Sequence, residues 1–261
     1  MNVLNKIRIF LFYFMCIYYI LTSYITYYIL ETIFTRDIAN MFEYFIYKHI
    51  FLNILDCNVE TNNFRKMLDN KKYIIMCNHY TGLDYFILRS IFTDSYTIVK
   101  SDLISQRKDH SLLVKMSHLL INLFLKSGKL ISYIKKNSKS GAEVLEKTKK
   151  LLKHSNIIIF PEGQSYIDGK VVSFKKGMFD LAYTENIGII PCSLNYSKDI
   201  GMETFKDGSI TKLVLSDWIG IDAKLTISDI IEPKNFNSSE ELLTYTFNII
   251  NKNYRIDTDH N

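Results

Sequence analysis

Two short stretches place ionisable side chains and a glycine directly after runs of apolar, β-branched residues. Asn78-His79-Tyr80-Thr81-Gly82-Leu83-Asp84 follows Tyr73-Ile74-Ile75-Met76-Cys77, and Pro161-Glu162-Gly163-Gln164-Ser165 follows Asn156-Ile157-Ile158-Ile159-Phe160. A histidine with a nearby aspartate suits general-base chemistry, because a carboxylate on one ring nitrogen fixes the tautomer and raises the basicity of the other. On a continuous helix, residues five apart point about 140° away from each other. The pair therefore requires His79 in a loop and Asp84 in the first turn of the helix that follows. Thr81 then suits the N-cap and Asp84 the N3 position of a capping box, a structural role that carries no chemistry by itself but is compatible with orienting an imidazole. Glu162 reads either as a further carboxylate of the site or as the closure of a turn. Gly163 permits an unusual backbone conformation and the close approach of a ligand. No Gly-x-Ser-x-Gly elbow and no serine or cysteine with a base beside it is evident, so no nucleophilic side chain is indicated. There is no His-Glu-x-x-His and no aspartate cluster, so no metal is expected.

The elements that must position these groups alternate. Candidate strands are Tyr73–Cys77, Tyr96–Lys100, Leu130–Ile134, Asn156–Phe160, Ile187–Leu194, Lys212–Leu215 and Lys224–Ile227. Candidate helices are Asp84–Phe92, Leu112–Lys126, Ser140–Lys153, Lys176–Asn186 and Ser239–Asn251. This alternation predicts an α/β domain with a mixed, partly parallel sheet flanked by helices, spanning residues 56–261. In such folds chemistry gathers in the loops beyond the carboxyl ends of strands, where both polar stretches fall.

Ahead of this domain, residues 1–55 read as membrane-anchoring helices. Ile9 to Leu30 carries no charge and reaches about 33 Å as a helix, enough to cross a hydrocarbon core of about 30 Å. It is expected to span the bilayer or to re-enter one leaflet. Residues 38–55 read as an interfacial helix, with Ile38, Met41, Phe42, Phe45 and Leu52 on one face, interrupted elsewhere by Glu43 and Lys48. The whole chain has 261 residues, 48% of them hydrophobic and 23% charged, which excludes disorder. A net charge of +5 without an Arg/Lys stripe or nucleic-acid motif gives no argument for nucleic acid and suits anionic lipid better. Cys16, Cys57, Cys77 and Cys192 form no C-x-x-C pair and read as buried thiols. Asn195-Tyr196-Ser197 and Asn237-Ser238-Ser239 match the glycosylation triplet, which matters only in a lumenal domain.

Asn78-His79 with Asp84, followed about eighty residues later by Phe160-Pro161-Glu162-Gly163, resembles the glycerolipid acyltransferase superfamily, and within it the 1-acylglycerol-3-phosphate (lysophosphatidate) acyltransferases. Val99-Lys100, Asp168-Gly169-Lys170, Phe174-Lys175-Lys176-Gly177 and Ile190-Pro191 extend the resemblance over roughly residues 70 to 195. It implies transfer of a fatty acyl chain from acyl-CoA or acyl carrier protein to the hydroxyl of a lysophospholipid, with no cofactor beyond that thioester. His79 and Asp84 are then the catalytic pair. Asn78, Glu162 and Gly163 belong to the acceptor's site, and Lys100, Lys136, Lys175 and Lys176 are candidates for its phosphate. The membrane lipids become partners, with the catalytic domain on the cytosolic face. Two departures stand out. Gln164-Ser165 replace the family's usual Thr-Arg, and Lys136 stands where an arginine is expected, keeping the charge but losing the bidentate fork. These motivate three alternatives: another acceptor such as glycerol 3-phosphate or a different lysophospholipid, a non-catalytic lipid-binding protein on the same fold, and a hydrolase.

Overall fold

In a computed structural model of the chain, residues 2–62, 71–100, 129–133, 138–163, 171–198, 200 and 215–255 are described. The chain begins with helices α1 (Val3–Ile33) and α2 (Arg36–Phe45), a π-helical turn (Ile46–Phe51) and α3 (Leu52–Leu55). Then follow β1 (Cys57–Thr61), β2 (Ile74–Cys77), α4 (Leu83–Arg89), β3 (Ser95–Lys100), β4 (Leu130–Tyr133), α5 (Ser138–Leu151), β5 (Asn156–Ile159), α6 (Gly177–Thr184), β6 (Ile189–Tyr196), β7 (Ile221–Ile227) and α7 (Ser239–Arg255). The seven strands form one sheet in the order β1-β7-β6-β2-β5-β3-β4. Strands β6, β2, β5, β3 and β4 run parallel; β7 pairs antiparallel to β6, and β1 parallel to β7.

The near-continuous apolar runs of β2 and β5 are those of strands covered on both faces. Residues of β2 alternate between two cores, as the period of a strand dictates. Ile75 and Cys77 join Leu83, Ile87 and Leu88 of α4 together with Phe51, Leu55 and Trp218. Ile74 and Met76 join Val144 of α5, Phe179 and Ala182 of α6 and Leu242 of α7 on the other face. Strands β2 and β5 are neighbours in register from Ile74 opposite Ile157 to Met76 opposite Ile159, so the two polar stretches leave the sheet side by side. The helix after β2 packs on one face and the helix after β5 on the other, and loops diverging in this way open a crevice at the strand ends.

Strand boundaries shift by only a few residues from those expected. Strand β1 was not foreseen: Cys57-Asn58-Val59-Glu60-Thr61 has a mostly exposed pattern that suits an edge strand, with little apolar signal. The expected helix Leu112–Lys126 and residues 212–214 of an expected strand lie outside the described residues; Leu215 opens a 3₁₀ turn that ends at Trp218.

The N-terminal segment departs from expectation in two ways. Among the described residues, no helix is long and apolar enough to cross a membrane. The first half of residues 9–30 instead packs on the domain: Phe12 lies against Phe51, Phe86 and Trp218, and Tyr19 against Tyr47 and Phe51. The residues expected to share one apolar face in 38–55 do not do so. Ile38, Met41 and Phe45 are exposed, while Leu52 is buried. The π-helical turn between them explains the loss of phase, since its wider turn rotates every later residue relative to an α-helical count. The residue that turns inward on α2 is the charged Glu43, only 5% exposed. It accepts hydrogen bonds from Arg89 Nη2 at 2.8 Å, Lys129 Nζ at 3.0 Å and the Tyr19 hydroxyl at 3.3 Å. This cluster ties α1 and α2 to the end of α4.

Candidate active site

The loop after β2 and the first turn of α4 bring His79 and Asp84 together. His79 Nδ1 lies 2.9 Å from Asp84 Oδ2. The same oxygen accepts the backbone N–H groups of Tyr80 at 2.5 Å and Thr81 at 2.9 Å. Gly82, rather than the expected Thr81, is the N-cap and offers no side-chain bond. Asp84 nevertheless reaches back to the preceding backbone as an N3 carboxylate does in a capping box. Structural capping and imidazole orientation are thus done by one group. Asp84 is fully buried and His79 is 23% exposed, so the pair has a closed back and an open front. A carboxylate only accepts, so Nδ1 carries the imidazole proton and Nε2 the lone pair. Among the described residues, none hydrogen-bonds Nε2. The ring is held from the side by Phe160, stacked at 4.2 Å between centroids and 22° between planes. Phe160 has no role that the sequence signals, because nothing in spacing says that the residue after β5 faces the loop after β2.

Asn78 is buried and both ends of its amide are used on one residue of β6. Its Nδ2 donates to the Leu194 carbonyl at 3.0 Å, and the Leu194 N–H donates to Oδ1 at 2.7 Å. This pair of hydrogen bonds to a neighbouring strand anchors the backbone just before His79. Cys77, two residues before His79, is equally buried, and burial pushes its thiol well up, as it does for Cys192. Neither thiol is poised as a nucleophile. All four cysteines are free, and Cys16 alone is only half-buried.

Glu162 sits behind the histidine. It is 2% exposed, its Oε1 accepts the His79 backbone N–H at 3.0 Å, and its Oε2 has no partner among the described residues. Burial, with the nearby Asp84, pushes its carboxyl from 4.5 up to about 9, against a smaller opposite pull from the His79 N–H. Glu162 therefore holds a proton at neutral pH and acts on His79's backbone as a neutral group. A buried acid of this kind makes the fold pH-dependent in a defined sense. Between pH 4.5 and about 9 the unfolded chain releases this proton and the folded one keeps it, so this group's contribution to stability is fully present below 4.5 and is lost as pH rises toward 9. Glu162→Gln keeps the shape without the titration. The variant's stability relative to wild type should rise with pH, by up to about 1.4 kcal/mol per pH unit. Urea unfolding in detergent at pH 5, 6.5 and 8 reads this; a pH-independent difference would contradict it.

Gly163 has φ +71, a conformation that disfavours side chains. A Cβ there would lie 3.7 Å from both the Lys175 stem and the Tyr133 hydroxyl. The Lys175 N–H also donates to the Pro161 carbonyl at 2.7 Å, so Lys175 is seated beside the Pro-Glu-Gly turn. Lys176 points elsewhere. Its ammonium pairs with Glu240 of α7 and lies 3.7 Å from Asp180. Lys100 ends β3, its backbone opposite Tyr133 of β4, and Lys136, with Gln164 and Ser165, lies outside the described residues. Of the two lysines whose side chains are described, Lys175 is the one whose stem lies against the glycine turn.

A family model described as Acyltransferase matches residues 57–195, which holds both polar loops and five of the strands between β1 and β6 completely. Among solved structures, that of the 1-acyl-sn-glycerophosphate (LPA) acyltransferase PlsC from Thermotoga maritima aligns with a TM-score of 0.71 at 19% identity, covering 98% of this chain and 97% of that one. At that identity the likeness speaks for the fold, including the helices ahead of β1. Comparison with curated protein sequences gives no match.

Proposed function

The chain belongs to the acyltransferase family, and from that premise we propose that it transfers a fatty acyl chain from an acyl-CoA or acyl carrier protein thioester to the free hydroxyl of a lysophospholipid, 1-acylglycerol 3-phosphate giving phosphatidate. The observation that carries this reading is the His79–Asp84 pair, with Nδ1 held at 2.9 Å and Nε2 bonded by none of the described residues. His79 Nε2 takes the proton of the acceptor hydroxyl as its oxygen attacks the thioester carbonyl. Asp84 keeps the ring oriented and stabilises the imidazolium that forms. The proton then passes to the departing thiolate, and no acyl-enzyme intervenes. Lys175, beside Gly163, is the best-placed described cation for the acceptor's phosphate. PlsC from Thermotoga maritima, whose name carries the same substrate, adds support for the acceptor.

The exposed apolar side chains of the N-terminal helices support a site held at a membrane surface. Val3, Ile7, Phe10 and Phe14 recur on one stripe of α1, and Ile38, Met41 and Phe45 on α2. Seated in one leaflet, they would bring both lipid substrates to the crevice from the face where acyl-CoA is dissolved, the cytosolic one. The test supplies labelled oleoyl-CoA to the purified full chain on anionic vesicles carrying a panel of lysophospholipids or, separately, glycerol 3-phosphate. Labelled phosphatidate as the dominant product supports the reading. A different dominant product replaces the acceptor, and free fatty acid alone would make the protein a hydrolase.

A further inference from the structure

Asp84 is fully buried, and its two oxygens are used differently. Oδ2 takes His79 and two backbone N–H groups. Oδ1 takes one donor, the hydroxyl of Tyr196. Tyr196 is the last residue of β6, the strand next to β2 on the side away from β5. It therefore approaches the carboxylate from the face opposite the Glu162 loop. Its ring lies 5.8 Å from that of Tyr80, in the loop that carries His79. We propose that Tyr196 is a positioning residue for acyl transfer, acting through Asp84: its hydroxyl fixes the carboxylate so that Oδ2 faces His79 Nδ1, and draws charge toward Oδ1. This rests on the reading of His79 as the general base.

The physical argument has two parts. A carboxylate buried with Oδ1 unsatisfied would be held less firmly, so the ring would sit in the reactive orientation less often while the Nδ1 bond itself persists. A hydrogen bond to Oδ1 also weakens Oδ2 as an acceptor, so the imidazole stays less basic than it would be against an unshared carboxylate. Burial and Asp84 both push the Tyr196 hydroxyl well above its usual range, so it remains a donor throughout the working pH range. The titratable groups around it are Asp84 on α4, His79 and Cys77 at the end of β2, Glu162 after β5 and Cys57 on β1. Cys57, with its thiol pushed up to about 12, and the protonated Glu162 hold no charge near neutral pH. The charge that Tyr196 meets there is that of Asp84.

The test is Tyr196→Phe, which keeps the ring and removes the hydroxyl. The expected result is a fall of about 10-fold in kcat with little change in KM for either substrate. The acid limb of the kcat/KM profile should move to higher pH, and in the His79→Ala background the second substitution should cost nothing more. A structural role alone would change melting temperature and leave the acid limb where it was; that result, or unchanged kcat, overturns the proposal. A second readout needs no turnover. In 15N-labelled protein the His79 Nδ1–H proton signal, assigned by its loss in His79→Ala, should move downfield in Tyr196→Phe, because the unshared carboxylate is the stronger acceptor. An unmoved signal also overturns it. Should wild type show no acyl transfer, that failure belongs to the proposed function, and the proton signal still judges Tyr196.

Discussion

His79→Ala should lower the rate of acyl transfer by about 10²–10⁴-fold, the range typical of a general base, and leave binding of both lipids close to wild type. The magnitude follows from what the ring has around it. Nδ1 is committed to a buried carboxylate, one face is committed to Phe160, and Nε2 is left without a partner among the described residues. No other described side chain in the loop can take the proton, since Glu162 already holds one at neutral pH and both nearby thiols are pushed up by burial. The half-open position of the ring, with 23% of the side chain exposed, keeps the stability cost small. The assay is labelled oleoyl-CoA with the preferred acceptor, run beside a melting curve. Wild-type rates in His79→Ala would remove the mechanism and return the chain to the lipid-binding reading.

Arg89→Ala should be the most destabilising single change among the residues discussed, by about 3–5 kcal/mol, the usual cost of breaking a buried ion pair from one side. Arg89 is 1% exposed at the end of α4. One nitrogen donates to Glu43; the other donates to the Thr93 carbonyl at 3.1 Å and to both the carbonyl and hydroxyl of Ser95. Its guanidinium also lies 5.3 Å from the Tyr47 ring centre. Alanine strands Glu43 with Lys129 as its remaining cation, and burial already lowers that lysine to about 8. It also takes a donor from the carbonyls of Thr93, which keeps Lys129 at 3.4 Å, and Ser95. Because the same ion pair joins α2 to the helix that carries Asp84, the loss should appear as looser docking of the N-terminal helices as well as a lower melting temperature. Thermal unfolding in detergent, with proteolysis of residues 1–55 as a second probe, reads both. An unchanged melting temperature would show that the pair contributes nothing net.

Much of the site was legible before any fold was known. A histidine and an aspartate separated by a Gly-containing turn can meet only across a loop and a first helical turn, and they do meet there. The strands carrying both loops announced themselves as short β-branched runs. Other features were not legible, for reasons of geometry. Glu43 interrupts an apolar pattern and so reads as outward-facing, yet it turns in because Arg89 and Lys129 arrive from distant parts of the chain. The π-helical turn at Ile46–Phe51 has no period of its own in the sequence and breaks any face drawn across it. Lys175 and Lys176 are adjacent and chemically alike, and only their surroundings separate one beside the glycine turn from one held by Glu240.

Residue types and spacing by themselves determined that a histidine could meet a carboxylate across a turn, the alternation of strands and helices, and the loops in which the candidate site residues lie. These are local properties: period, capping and the sharp change from apolar run to polar turn. Strand order belongs to the tertiary structure. It sets β5 on one side of β2 and β6 on the other, which brings Glu162 behind His79, Phe160 onto its ring and Tyr196 onto Asp84. Those contacts join residues as far as 112 positions apart, and no local pattern encodes which strand becomes a neighbour. That choice comes from burying both faces of the sheet at once.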